Sequence, residues 1–288
     1  MNTMRRSLVV IATVAFITIA CGAAEQPSTH VTYVANEGFL IQVGSKKVLI
    51  DAIFNDETIN YAHVPDPETL KCLEKGEPPF DDIDLILVAH KHRDHFAADS
   101  VSRHLSSNPT GVLLAPTQAV ELLAASDPEF ERYGERVKGP DLQLYRSVEM
   151  TVRGIRVEAH RLRHSAYMVK DPSTGKSHNR HEEIENIVYL LEIDGVKLFH
   201  VGDAILPRDA GYFTGESFPK QDVRVAFLEY FDWSDETQEI LHSRLSPDHV
   251  VIMHLPPQAE QIEELARRLI EVYPNAFVFR KPMEAHSF

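Results

Sequence analysis

Apolar and polar positions alternate along "HVTYVANEGFLIQVGSKKVLIDAIF", residues 30–54, and predict three strands. Its segments "FLIQV" and "KKVLID" are joined by Gly44-Ser45, a two-residue hairpin signal. Residues 55–83 are rich in proline and acid, with one short helical pattern in "DPETLKCLEKG". The continuous apolar run "DLILVA" predicts a buried strand. Helical "AADSVSRHLSSN", a strand "GVLLAP" and a helix in "PTQAVELLAAS" with Pro116 at its start come next. "LQLYRSVEMTVRGIRVEAHRLRH" alternates as two or three strands turning at Arg153-Gly154, and "NIVYLLEIDGVKLFHVGDA" as a hairpin turning at Asp194-Gly195. "DVRVAFLEY" and "DHVVIMH" are further strands. "PPQAEQIEELARRLIEVY" spaces Ile262, Leu265, Ala266, Leu269 and Ile270 as one helical face, and "AFVFRKP" closes the chain as an edge strand. Strands thus gather in both halves, each set followed by helices. That order predicts an α+β domain of sheets covered by helices and argues against a doubly wound sheet.

The first 21 residues stand apart. "MNTMRRS" is a short basic start and "LVVIATVAFITIA" an apolar run ending at Cys21, shorter than the roughly 20 residues needed to span a bilayer. The pattern is that of an export signal, and Thr18-Ile19-Ala20-Cys21 resembles a bacterial lipobox with Thr in place of the usual Leu. The expected organisation is therefore a lipoprotein-type signal over 1–21, a short linker over 22–29, and one domain over 30–288. Lipidated Cys21 would attach it to a membrane at the periplasmic or outer cell surface. Cys72 is then the only other cysteine, which leaves no intrachain disulfide, and in "LKCLEKG" it is expected to pack a helix. Setting Arg5 and Arg6 aside leaves 27 basic residues against 43 acidic ones. So negative a surface repels phosphate backbones and argues against nucleic acid as a partner.

The chemistry concentrates in "VAHKHRDHFA". His90 and His92 are two apart at a strand end, so both can project from one face. Asp94 and His95 follow where the chain turns and can aim at a second point. Imidazole and carboxylate donors without thiolates favour zinc, with manganese or iron as alternatives. Three later positions share the same context of apolar strand, ligand and break: His164 after "VEAHRLR", Asp203 after "VKLFHVG", and His254 ending "DHVVIMH". Gly202 lets the backbone turn before Asp203. His160 is the rival of His164: an even spacing puts both on one face, and His164 lies nearer the strand end. His200, inside "KLFHVG", is expected to be buried and hydrogen-bonded. His104, His178, His181, His242 and His249 are expected at the surface.

His90-x-His92-x-Asp94-His95, followed by solitary His, Asp and His positions, resembles the metallo-β-lactamase-fold hydrolase superfamily over essentially all of residues 30–288. "GFLIQVGSKKVLIDAIF" is similar to the family's opening hairpin and its Asp51, and "HVGDA" to its Gly-Asp turn. The resemblance implies a four-layer αββα sandwich of two mixed β-sheets flanked by helices. It implies a first metal on His90, His92 and His164, and a second on Asp94, His95 and His254. Asp203 would bridge the two, and Asp51 would orient a ligand imidazole. Two divalent ions, zinc foremost, would share a hydroxide that attacks a carbonyl or phosphoryl centre, with Asp94 or Asp203 relaying the proton.

The opening segment and single domain look most like the lactonase- and phosphodiesterase-like branch. The expectation is a hydrolase of a small ester, lactone, amide or phosphoester, with a lipid-anchored metal-binding protein without turnover as the alternative. Residues 55–83, with Tyr61, His63 and Phe80, are long enough to wall the site. So are residues 165–185, with Tyr167, His178, Arg180 and His181. The aromatics of "EYFDW", residues 229–233, are expected in the core more than in a pocket floor.

Overall fold

The computed structural model describes residues 27–216 and 218–288. The export signal with Cys21 and the linker up to residue 26 lie outside these residues. Six strands open the chain: β1 (Thr29–Ala35), β2 (Gly38–Val43), β3 (Lys46–Ile50), β4 (Leu85–Leu87), β5 (Val112–Leu114) and β6 (Val137–Lys138). Next come β7 (Ser147–Val152), β8 (Ile155–Arg163), β9 (Met168–Lys170), β10 (Ser177–Asn179), β11 (Glu185–Ile193), β12 (Val196–His200), β13 (Val225–Glu229), β14 (His249–Met253), β15 (Ala276–Val278) and β16 (Ala285–Ser287). The helices are α1 (Pro67–Lys75), α2 (Ala98–Ser107), α3 (Thr117–Ser126), α4 (Ala210–Thr214), α5 (Asp235–Ile240) and α6 (Ala259–Val272).

One seven-stranded sheet has the order β16-β1-β2-β3-β4-β5-β6, the other β15-β14-β13-β12-β11-β8-β7. Both are mixed. β3 to β6 run parallel while β16, β1, β2 and β3 are antiparallel neighbours, and β12 to β15 run parallel beside the antiparallel β7, β8, β11 and β12. The period-two pattern fixes which face packs where. Val48, Ile50, Leu85 and Leu87 face the core shared with Val157, Leu191, Leu198 and Phe227 of the second sheet. Leu49, Ile86, Val88 and Leu113 face outward onto Leu73 of α1, Val101 and Leu105 of α2, and Ala119 and Leu123 of α3. α6 covers the second sheet with Ile262, Ala266 and Leu269. The layers are helix, sheet, sheet, helix, as the family resemblance implied and in keeping with the hydrophobic pattern.

Four expectations fail locally. "AFVFRKP" does supply β15 at an edge, but β16 ends the chain by returning to the first sheet, where His30 pairs with Ser287. Its sequence, "AHS", carries no apolar pattern to announce it. "LQLY" is no strand: Tyr145 has φ 63° and turns the chain into β7. β9 and β10 form a two-stranded hairpin within the 165–185 excursion, with Ser177 opposite Lys170. α5 was not expected either, although Ser234 caps it by accepting the Thr237 N–H.

Candidate metal centre

β4 is buried along its whole length, as a parallel strand covered on both faces must be. Its exit is anchored from three sides. The Ala89 N–H donates to Asp51 Oδ1 at 2.7 Å, the Tyr189 hydroxyl to the Val88 carbonyl at 2.9 Å, and the Ile187 N–H to the Ala89 carbonyl at 2.9 Å. From this fixed point the chain turns through His90–His95, with the His95 and Phe96 N–H groups both donating to the His92 carbonyl at 3.0 Å.

His90, His92, His164 and Asp203 bring four donor atoms together. His164 Nε2 lies 3.2 Å from His90 Nε2, 3.1 Å from His92 Nδ1 and 3.1 Å from Asp203 Oδ2, and His90 Nε2 is 4.0 Å from Asp203 Oδ2. Four zinc ligands at 2.0–2.1 Å are separated by about 3.3 Å, so these spacings suit one small ion. His164 Nδ1 lies 3.0 Å from the Ser165 carbonyl, and an N–H there leaves the Nε2 lone pair for the cluster. Burial, followed by repulsion from His95, holds His90 well below the usual imidazole range. Burial and His164 bring His92 down to about 4. Neutral nitrogens with converging lone pairs need a positive charge between them, which makes the donor set fit a divalent ion.

The second cluster lies on the other side of Asp203. His95 Nε2 is 3.2 Å from Asp203 Oδ1 and 3.9 Å from Asp94 Oδ2, and His254 Nε2 is 3.9 Å from the same Asp94 oxygen. Both His95 nitrogens and Asp203 Oδ1 are buried and lack a hydrogen-bond partner among the described residues. On the far side of the ring, Asp51 Oδ2 approaches His95 Nδ1 at 3.2 Å. Burial alone would lower His95; the carboxylates of Asp203, Asp94 and Asp51 outweigh it and raise it well above the usual range. Asp203 moves the other way: its burial is outweighed by His164, His90 and His95, which hold it low.

Backbone geometry at the site is unusual. Asn36, Asp51 and His254 have left-handed backbones, with φ 48°, 46° and 57°. Such conformations persist where surrounding structure imposes them, which is common at functional sites. Before Asp203, Gly202 has φ 53°, and a Cβ there would come within 2.6 Å of both Ala89 Cβ and Asn186 Oδ1. Only glycine permits that turn, as the sequence suggested. Asn186 then accepts the Asp203 N–H at 3.0 Å.

The structure thus draws His90, His92, Asp94, His95, His164, Asp203 and His254 to one point, with Asp51 behind His95. His160 turns elsewhere, its Nδ1 2.8 Å from the Tyr212 hydroxyl. His200 is buried with Nε2 3.3 Å from the Glu37 carbonyl. Of the histidines expected at the surface, His104 is not there, and His181 and His249 are only half-exposed. His104 is buried between α1 and α2, with Nδ1 beside the Leu73 carbonyl. His181 is half-buried, with Nδ1 3.1 Å from His164 Nδ1 and its ring 4.8 Å from that of His92.

A cavity of about 1040 Å³ opens onto the centre, lined by Tyr61, Tyr167 and Phe231 around Asp94, Asp203 and His254. The Tyr61 ring stacks on His254 with centroids 5.9 Å apart. Phe80 packs instead under the helices, and His63 meets the Tyr33 hydroxyl at 3.1 Å. In "EYFDW" the core expectation holds for Tyr230 and Trp233, while Phe231 stands in the cavity mouth.

Two buried acids at the centre were missed. Glu37 interrupts the apolar stretch "VTYVANEGFLIQV", and Glu229 ends an apolar strand before a break, the same context that singled out Asp203 and His254. Both are fully buried.

Residues 30–217 match the model of the beta-lactamase superfamily domain. A UPF0173 metal-dependent hydrolase of Polaromonas is 32% identical over 133 residues, which is 44% of each chain. Another from Pyrococcus furiosus is 25% identical over 242 residues, covering 82% of this chain and 90% of its own. The metallo-beta-lactamase fold protein YhfI of Bacillus subtilis superposes with a TM-score of 0.55 at 14% identity, over 91% of this chain and all of the other.

Proposed function

This chain belongs to the beta-lactamase superfamily as a metal-dependent hydrolase, and from that premise we propose a dinuclear centre that cleaves a small ester, lactone, amide or phosphoester. One observation carries the reading: Asp203 turns one oxygen to His164 at 3.1 Å and the other to His95 at 3.2 Å, so a single carboxylate serves both clusters. His90, His92 and His164 would hold the first ion and Asp94, His95 and His254 the second, with Asp203 offering an oxygen to each. Asp51 orients His95. When bound, such a pair of ions, zinc foremost with manganese or iron as alternatives, supplies a water of lowered pKa and polarises the electrophile.

The chain's own groups do the rest. Asp94, beside the mouth, is placed to take a proton from the reacting water. The Tyr61 hydroxyl faces Asp94, and burial, followed by that carboxylate, raises its pKa, which keeps it protonated as a hydrogen-bond donor. Tyr61, Tyr167 and Phe231 offer apolar area, while Lys91 and Arg180 line the same cavity. That combination suits a substrate with an apolar portion beside a negative charge. A storage protein without turnover has no need of so open a cavity at the shared carboxylate. The basic start, apolar run and Cys21 of residues 1–21 support export and lipid anchoring at a bacterial cell envelope.

The test is a panel of chromogenic ester, lactone, phosphodiester and β-lactam substrates, in charged and neutral pairs. The metal-loaded protein is expected to cleave at least one class, and the His92→Ala variant none. Two bound ions with no turnover across the panel would favour the storage reading, and less than about one ion per chain would remove the metal centre itself.

A further inference from the structure

Glu37 and Glu229 lie beneath the second cluster with all four carboxylate oxygens buried and without a hydrogen-bond donor among the described residues. The segment carrying Glu37 is tied to that cluster from every side. The Asn36 side-chain amide donates to the Asp94 carbonyl at 3.1 Å, the His254 N–H donates to the Asn36 carbonyl at 3.2 Å, and the ring of His200 meets the Glu37 carbonyl at 3.3 Å. Next to it, a Cβ on Gly38 would fall 2.7 Å from Ala52 Cα and 2.8 Å from the Asp51 carbonyl. Glycine therefore lets the Asn36–Glu37 turn press against the Asp51 turn, and this close approach delivers the Glu37 carboxylate to the centre.

There, one Glu37 oxygen lies within 4.8 Å of donor atoms of both Asp203 and His254, a spacing that one ion can span. Glu37 Oε2 also stands 3.7 Å from His95 Nδ1, on the side of the ring that faces Asp51, and so helps to fix that ring. Burying a carboxylate without a partner costs several kcal/mol, so a buried one faces a proton or a cation. The Glu37 and Glu229 side chains stand within hydrogen-bonding reach of each other, so a proton on Glu229 can hold one Glu37 oxygen and leave the other free for an ion. No lysine or arginine pairs with either among the described residues.

Resting on the dinuclear reading above, we propose that Glu37 is a direct ligand of the second ion, held in place by Glu229, and that it adapts this half-site to Mn2+ or Fe2+. With Glu37, the second ion would be offered three carboxylates and two imidazoles, and the first three imidazoles and one shared carboxylate. Five protein donors exceed the four of a typical zinc site, and oxygen-rich sets suit manganese and iron. The centre is then built for two unlike ions.

The metal-free full chain is titrated with Mn2+, followed by electron paramagnetic resonance, and separately with Zn2+, followed by elemental analysis. The wild type is expected to bind one Mn2+ tightly. Glu37→Gln is expected to weaken that Mn2+ by about ten- to a hundredfold with the first Zn2+ unchanged, and Glu229→Gln to weaken it less. Less Zn2+ should then displace the Mn2+. Unaltered Mn2+ affinity in Glu37→Gln overturns the ligand role, and a wild type that takes no Mn2+ overturns the ion preference. In that last case, two bound Zn2+ would leave the dinuclear reading standing and one would remove both. Should Glu37→Gln fail to fold by circular dichroism, Glu37→Asp and Glu229→Gln decide by the same readout.

Discussion

The two halves of the centre are built differently. The first half hangs directly on sheet ends: His90 and His92 follow β4, His164 follows β8, and His164 Nε2 stands 3.1–3.2 Å from its neighbours' donor atoms. The second half is looser, with 3.9 Å from Asp94 to both His95 and His254, and although His254 follows β14 it leans on neighbouring turns for support. Three of its supports, Asn36, Asp51 and His254, hold left-handed backbones, and two buried glutamates lie beneath it. A strand end fixes a ligand through the sheet's own hydrogen bonds, whereas a turn needs further contacts to hold it. The first half is therefore pre-set by the fold, and the second depends on polar groups that must each be satisfied.

Asp203→Asn should have the largest effect, since it weakens the carboxylate whose two oxygens face the two clusters. Elemental analysis is expected to show fewer than about one ion per chain, with turnover down on the order of a thousandfold. His92→Ala and His254→Ala are each expected to cost one ion and spare the other. Two ions retained in Asp203→Asn would break the idea of a shared carboxylate. Asp51→Asn comes next. Its remaining oxygen can still accept the Ala89 N–H, while the new amide faces His95 Nδ1. The second ion's affinity should fall by about ten- to a hundredfold and the first ion's hold. An equal loss at both would show that the halves are not separable.

The difference between the halves also decides what the sequence revealed. The layers could be read because alternation and helical spacing record which side chain faces which core, as Leu49 beside Val48 and Ile50 shows. The motif His90-x-His92-x-Asp94-His95 could be read because its members are neighbours on one strand end. His164, Asp203 and His254 were found through their shared context after apolar strands. His160 and His164 could not be separated by parity, because the distinction lies in the distant Tyr212 that receives His160. Glu37 escaped because its role comes from a turn pressed against Asp51 and His254, contacts far apart in sequence. β16 escaped because its polar residues are held by pairing with β1 and by contacts far apart in sequence, Ser287 with His30 and His286 with Phe277, and His104 because a helical pattern does not show which polar residue finds a buried carbonyl.

The smallest effect separates the rival histidines of β8 and its exit. His160 is buried, with Nδ1 2.8 Å from the Tyr212 hydroxyl, and its ring lies 5.4 Å from that of Phe218. His160→Gln should keep both ions and lose about 1 kcal/mol of stability, the worth of one buried hydrogen bond. In thermal unfolding that is a drop of roughly 2–4 °C for a chain of this size. His164→Gln should do the reverse, losing the first ion while the metal-free protein melts near the wild-type temperature. If His160→Gln instead emptied the first half and His164→Gln left it filled, the ligand would be the histidine inside the strand. The first half would then no longer be the one set by strand ends.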